Sequence, residues 1–297
     1  MFERLTSLLN AASSRADEIS FFRILGDNFY DRSGSASYAW FEALSLETKS
    51  KVLGAVPGNH DTWVAGAPAA YTSQDQLQTG FYQFYAQDTA ASLSAEPSPY
   101  DFSVNVAAPD ATAHTLPPAA NLFTYTKLGN IVFIGFSGAQ GFDDQKALFS
   151  DACYFADSAG ADAVLLEGHW NEPGDGAPVG ASVPEVFELI KSLPACQKVS
   201  AKMRYFEGHM HCNLVKDGGL GFMVGANGMS DSTSCGGVFG IPVVDTTGGS
   251  FKVYYFAIND EKAGKDYYEE TLKCFTEKGV SSCYDLPSVV KWADVPF

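Results

Sequence analysis

The chain has 297 residues, of which 46% are apolar and 13% aromatic, so it can bury a full hydrophobic core and fits one large domain over 1–297. Charged residues make up 18%, which excludes the highly charged disordered class, and no uninterrupted apolar run is long enough for a transmembrane helix. The 19 Lys and Arg against 35 Asp and Glu give a net charge of −16, which disfavours general nucleic-acid binding.

The first predicted elements alternate between helices and strands. Apolar residues at helical spacing predict a helix over 2–16, and a buried strand, a helix and a second strand follow at 19–25, 36–50 and 51–56. Because this order is typical of βαβ units, we expect an α/β fold with a largely buried sheet. Residues 62–120, rich in Ala, Pro and Gln, are interpreted as an insertion or lid over one face.

The rest of the chain continues the alternation. The patterns predict, in chain order, a hairpin from 123–127 and 131–136, a helix at 143–158, a strand at 163–167, a helix at 184–192, a strand at 205–207, a hairpin turn at 216–219 and a last strand at 251–258. Residues 259–297 are predicted to form a C-terminal tail. The first twenty residues lack the apolar segment of a signal peptide.

The six cysteines contain no Cys-x-x-Cys pair, so the sequence does not support a zinc knuckle or a dithiol redox site. An even number suits disulfides formed in an oxidising compartment, and six scattered cysteines also suit buried free thiols. If disulfides form, Cys274 and Cys283 are the best local pair.

Four segments share one layout, in which a glycine after an apolar strand precedes side chains of metal-ligand type. They are Gly26-Asp27-Asn28-Phe29-Tyr30, Gly58-Asn59-His60-Asp61, Gly168-His169 and Gly208-His209-Met210-His211. In an open α/β sheet, such clusters converge outside the carboxyl ends of the strands. Taken singly, Asp27 also suits a helix cap, and Asn59 and Asp61 suit ordinary turns. His209 and His211 can converge only if their strand has already ended.

The side chains in these segments offer carboxylate, amide and imidazole ligands and no thiolate, a set that suits Fe, Zn or Mn. A carboxylate can bridge two metals, and such a pair clamps both oxygens of an in-line phosphoryl displacement. A metal pair would also supply the positive charge that an anionic substrate needs in so acidic a protein.

The order GD-x-x-Y, GNHD, GH and GH-x-H resembles the signature of calcineurin-like metallophosphoesterases, and Gly-Asp-Asn-Phe-Tyr is similar to the small, tartrate-resistant purple acid phosphatases. The resemblance implies a two-sheet α/β/β/α sandwich and two metal ions, Fe(III) with Fe, Zn or Mn. It further implies hydrolysis of a small phosphomonoester by a metal-bound hydroxide, a monomeric protein, and a secreted, lysosomal or vacuolar location.

Carried over by position, the resemblance implies six metal ligands: Asp27, Tyr30, Asn59, His169, His209 and His211. Asp27 would bridge the metals, and Tyr30 would be the phenolate ligand of Fe(III) in the first site, which His211 completes. The other three would hold the second metal. His60 would orient the substrate phosphate or protonate the leaving group, and Asp61 would be the partner of His60.

One motif of the family has no counterpart, because no Asp lies upstream of Asp17 to supply the usual first ligand. We therefore expect the sandwich to lack its first strand, through either a truncated start or a natural variant with reduced activity. The alternatives to phosphomonoester hydrolysis are a phosphodiesterase or nucleotidase of the same superfamily, and a non-catalytic protein that binds metal and phosphate.

Overall fold

The computed structural model describes the chain at residues 2–15, 18–27, 35–62, 81, 85, 87–93, 118–225, 235 and 237–297. The helices in these residues are α1 (Phe2–Ser13), α2 (Ser35–Ala43), α3 (Leu46–Lys49), α4 (Asn59–Thr62), α5 (Phe142–Ser158), α6 (Val183–Lys191) and α7 (Tyr268–Lys278). The strands are β1 (Phe22–Ile24), β2 (Val52–Ala55), β3 (Thr124–Leu128), β4 (Ile131–Gly135), β5 (Ala163–Glu167), β6 (Met203–Glu207), β7 (Asn213–Lys216), β8 (Gly221–Val224), β9 (Val238–Asp245), β10 (Ser250–Asp260), β11 (Lys265–Asp266) and β12 (Val289–Pro296). Among the helices described, none is long and apolar enough to cross a bilayer.

The α/β fold class is confirmed, with helices and several sheets that are consistent with the predicted sandwich. From β3 to β10, each predicted helix and strand corresponds closely to an observed one, whereas β10 is not the last strand, because β11, α7 and β12 follow it. Near the N-terminus, the single helix predicted over 36–50 is two helices, because Ser45 caps α3 by accepting a hydrogen bond from the Thr48 amide. The strand predicted over 19–25 is only three residues long. Most of the insertion predicted over 62–120 lies outside the described residues.

The chain divides into two compact units, each built from segments that are distant in sequence. The first unit comprises Met1–Arg23, Ala36–Gly54 and Met210–Phe297, and the second comprises Ile24–Ser35 and Ala55–His209. The assignment of 1–297 to one domain stays a prediction.

In the first unit, α1 and α7 share a hydrophobic core with an antiparallel sheet in which β10 pairs with β9, β11 and β12. Leu8 and Ala12 of α1 pack in the same cluster as Phe256 of β10 and Phe275 of α7, and all four are buried. Residues 259–297, predicted as a tail, contain β11, α7 and β12, and α7 and the start of β12 contribute residues to this core.

The second unit contains a sheet in the order β3-β4-β5-β6. β3 and β4 form the predicted antiparallel hairpin, and β4, β5 and β6 run parallel. Helix α5 connects β4 to β5, and α6 lies between β5 and β6, so the chain makes two successive βαβ crossovers. The Val-Leu-Leu run of β5 is buried throughout, as expected for a strand covered on both faces.

All six cysteines are paired, which decides between the two readings of the sequence in favour of disulfides. The pairs are Cys153–Cys196, Cys212–Cys235 and the predicted Cys274–Cys283. Each pair lies within one unit.

The Cys274–Cys283 disulfide joins the end of α7 to the turn that follows it, and both residues belong to the core of the first unit. Its nine-residue separation predicts that replacing both cysteines by alanine lowers the free energy of unfolding by about 2.5 kcal/mol, through the added entropy of the unfolded chain. Urea unfolding under non-reducing conditions measures the change. An unfolding free energy equal to that of the wild type would contradict this contribution.

Candidate metal centre

Two of the predicted histidine ligands follow neighbouring parallel strands of the second unit. His169 lies two residues beyond the end of β5, and His209 lies two residues beyond the end of β6. Since Glu167 of β5 pairs with Phe206 of β6, both histidines leave the sheet at the same edge. His209 has a φ of +67°, so the backbone turns as soon as the strand has ended. The two imidazole rings lie 5.3 Å apart, nearly perpendicular to each other.

Two oxygen ligands join the histidines. Asp27 follows β1 after a sharp turn, and Asn59 is the first residue of α4, just after β2. One ligand atom from each of Asp27, His169 and His209 lies within 4.8 Å of the others. The Oδ1 of Asn59 is 3.2 Å from His169 Nε2 and 3.1 Å from His209 Nδ1, while Asp27 Oδ2 is 3.1 Å from His169 Nε2. The structure thus brings together four of the six predicted ligands.

The hydrogen bonding of His169 tests whether this cluster suits a cation. Its Nδ1 lies 2.7 Å from the carbonyl oxygen of Leu25, and because a carbonyl only accepts, Nδ1 must carry the hydrogen. In the neutral ring, the lone pair on Nε2 then faces the side-chain oxygens of Asp27 and Asn59. Electron-pair donors that face one another require a cation among them, either a metal ion or a proton on Nε2. The donor set therefore fits a metal.

The pKa shifts in the cluster follow from the close contacts among its charged groups. Burial opposes ionisation of Asp27, but the neighbouring His169 and the hydrogen bond from the His60 amide outweigh it, so the pKa of Asp27 lies well below its usual range. Burial lowers the pKa of His169, yet the Asp27 carboxylate overcomes this effect and the pKa is raised. Burial and the nearby His169 lower the pKa of His209. Protons and metal ions consequently compete for His169.

Glycines allow the backbone to approach the His169 ring closely. A Cβ at Gly26 would lie 2.7 Å from His169 Nδ1, and a Cβ at Gly58 would lie 2.9 Å from His169 Cγ, both closer than side chains tolerate. Gly26 also has a φ of +90°, which favours glycine. This packing gives a physical reason for the glycines in the segments that carry Asp27 and Asn59.

Asp61 and His60 connect the two loops that carry the oxygen ligands. Oδ2 of the buried Asp61 accepts hydrogen bonds from the amides of Asp27 at 2.9 Å and Gly58 at 2.8 Å. The His60 amide donates to Asp27 Oδ1 at 2.9 Å. Asp61 thus holds the backbone on either side of the cluster, a role that its position in the sequence does not reveal. Its pairing with the ring of His60 stays a prediction.

The other two predicted ligands are Tyr30 and His211. Tyr30 lies outside the described residues. His211 is half-buried in the last segment of the first unit, Met210–Phe297, and its assignment as a metal ligand stays a prediction.

One residue near the cluster was not predicted. Oδ2 of Asp175 lies 3.4 Å from His209 Nε2, on the side of the ring opposite the nitrogen that faces Asn59. The sequence signal was a Gly-Asp-Gly turn six residues after His169, which is too common a turn to indicate a site by itself.

Comparison with known proteins points to one family. A model of the calcineurin-like phosphoesterase family matches residues 1–213 of the chain. No curated protein and no solved structure matches the chain significantly. The match includes His169, His209 and both oxygen ligands of the cluster.

Proposed function

The chain belongs to the calcineurin-like phosphoesterase family, and from this premise we propose that it hydrolyses phosphomonoesters at a binuclear metal centre of the purple acid phosphatase type. Proteins of this family in general hydrolyse phosphoesters with the help of metal ions. The observation that carries the proposal is the convergence of Asp27, Asn59, His169 and His209, whose ligand atoms face one another.

The second metal would be held by Asn59, His169 and His209 together with Asp27. The hydrogen bond from the His60 amide keeps Oδ1 of Asp27 in place while Oδ2 faces His169, so the carboxylate is already oriented before any ion binds. When bound, the metal pair supplies Lewis acidity that withdraws charge from the phosphoryl oxygens.

The first metal would be Fe(III), held by Asp27, Tyr30 and His211. The support is the motif order in the sequence, in which Tyr30 follows Asp27 by three residues. A tyrosinate bound to Fe(III) absorbs visible light, so the purified protein should be coloured, and Tyr30→Phe should remove the visible band.

His60 would contact the substrate phosphate, either orienting it or protonating the leaving group. His60→Ala should lower kcat by roughly 10²- to 10⁴-fold, the usual contribution of a positioned acid. Metal content should not change, because the bond from residue 60 to Asp27 comes from the backbone amide. Steady-state kinetics and elemental analysis of the same preparation measure both quantities. Product release at the wild-type rate would refute this role.

The test of the proposed function combines metal stoichiometry with substrate choice. Elemental mass spectrometry of the purified chain should give close to two metals, one of them iron. The iron- and zinc-reconstituted protein should hydrolyse p-nitrophenyl phosphate faster than bis(p-nitrophenyl) phosphate. A preference for the diester would favour a phosphodiesterase, and bound metal without hydrolysis of either would favour a non-catalytic protein.

A further inference from the structure

The environment of His209 differs on the two sides of its ring. Nδ1 faces Oδ1 of Asn59 in the ligand cluster, and Nε2 faces the carboxylate of Asp175. Asn59 Oδ1 and the carboxylate of Asp175 both only accept hydrogen bonds, so in the metal-free ring they compete for the hydrogen, and Asp175 favours the tautomer with the hydrogen on Nε2. That tautomer leaves the lone pair of Nδ1 directed toward the cluster, where a metal would need it.

The turn that carries Asp175 is fixed by hydrogen bonds to its backbone. The amides and carbonyls of Gly174 and Ala177 pair reciprocally at 3.0 and 2.9 Å, with Asp175 in the turn between them at a φ of +46°. The indole Nε1–H of Trp170 donates to the carbonyl oxygen of Asp175 at 3.1 Å. Trp170 is fully buried and directly follows His169. The position of the carboxylate is therefore set by the segment that carries the other histidine.

We propose that Asp175 is a positioning residue, which fixes the tautomer and ring orientation of His209 so that Nδ1 can bind a metal. This inference rests on the proposed function, because it assumes a metal at the cluster. The two histidines are then oriented by different acceptors. A backbone carbonyl orients the buried His169, and a side chain that is 66% exposed orients His209. Only the second acceptor can be removed by substitution without disturbing the main chain.

The test measures zinc affinity of the metal-free full chain by chelator competition in three variants. Asp175→Gly removes the carboxylate and tolerates the positive φ, and we expect it to weaken zinc binding about 10- to 100-fold, as for other residues that orient metal ligands. Asp175→Asn keeps an acceptor oxygen and should retain most of the affinity. Asp217→Gly makes the same change at an exposed turn residue with a φ of +49° that contributes no ligand to the cluster, and it should bind zinc like the wild type.

A second readout separates orientation from general loss of structure. Nitrogen NMR of the zinc-loaded protein should show His209 as the Nε2–H tautomer, and Asp175→Gly should broaden or lose this signal while the metal-free protein keeps its melting temperature. Unchanged zinc affinity in Asp175→Gly, or an equal loss in Asp175→Asn, would overturn the inference alone. Failure of the wild-type chain to bind zinc would overturn the proposed function and, with it, this inference.

Discussion

Replacing Asp27 by asparagine is expected to remove bound metal and hydrolytic activity while leaving the fold intact. The amide oxygen can still accept the hydrogen bond from the His60 amide, and the amide nitrogen can donate to the lone pair on His169 Nε2. The metal-free structure is therefore preserved, whereas the negative charge and the bridging ligand are lost. Because even residues that merely orient ligands contribute 10- to 100-fold, we expect metal affinity to fall by more than about 100-fold.

In Asp27→Asn, elemental analysis measures the loss of bound metal, and turnover of p-nitrophenyl phosphate measures the loss of activity. Thermal unfolding of the metal-free protein tests whether the fold is intact. The matched control is Asp157→Asn, which makes the same chemical change at an exposed carboxylate that pairs with Lys198 on the surface. The control should keep wild-type metal content and activity. Two metals per chain in Asp27→Asn could not be reconciled with a bridging carboxylate.

Asp61→Ala is expected to have the largest effect on stability. Oδ2 of Asp61 accepts hydrogen bonds from the amides of Asp27 and Gly58, and removing it leaves two backbone donors without this acceptor in a buried region. Each unsatisfied buried group costs about 1–3 kcal/mol, so we expect the free energy of unfolding to fall by about 2–6 kcal/mol. The loop that carries Asp27 also loses its attachment to Gly58, so metal binding should weaken as well.

Urea unfolding of the metal-free Asp61→Ala protein measures the stability, and zinc affinity measures the state of the site. Asp61→Asn is the conservative comparison, because its amide oxygen can accept both hydrogen bonds, and it should keep most of the stability. A loss below about 1 kcal/mol in Asp61→Ala would show that the two amides find other partners, contrary to the role assigned here.

Regular elements were the most predictable part of the fold. The strand β5, with its buried Val-Leu-Leu run, and the long helix α5 were predicted from the pattern of apolar residues. Each pattern lies within one short segment of the chain, so it can be recognised without knowing the tertiary structure. The two helices α2 and α3 were predicted as one, because the break depends on a single capping serine, Ser45, within a helical pattern. The strand pairing of β12 with β10 was not predicted, since pairing joins residues that are distant in the chain.

The sequence by itself determined which residue types could form a site and that each polar cluster follows a strand. It also predicted that these clusters converge outside the carboxyl ends of the strands, and His169 and His209 do follow the neighbouring strands β5 and β6.

Only the tertiary structure decided how these residues face one another. The hydrogen bond from His169 to the carbonyl oxygen of Leu25 sets the tautomer of His169, and the carboxylate of Asp61 links two loops by accepting hydrogen bonds from their amides. Asp175 contacts His209, which lies 34 residues later in the chain. Each of these contacts depends on side-chain direction and distance to within an ångström. Neither quantity is encoded in local residue patterns, because both result from how the whole sheet and its loops pack.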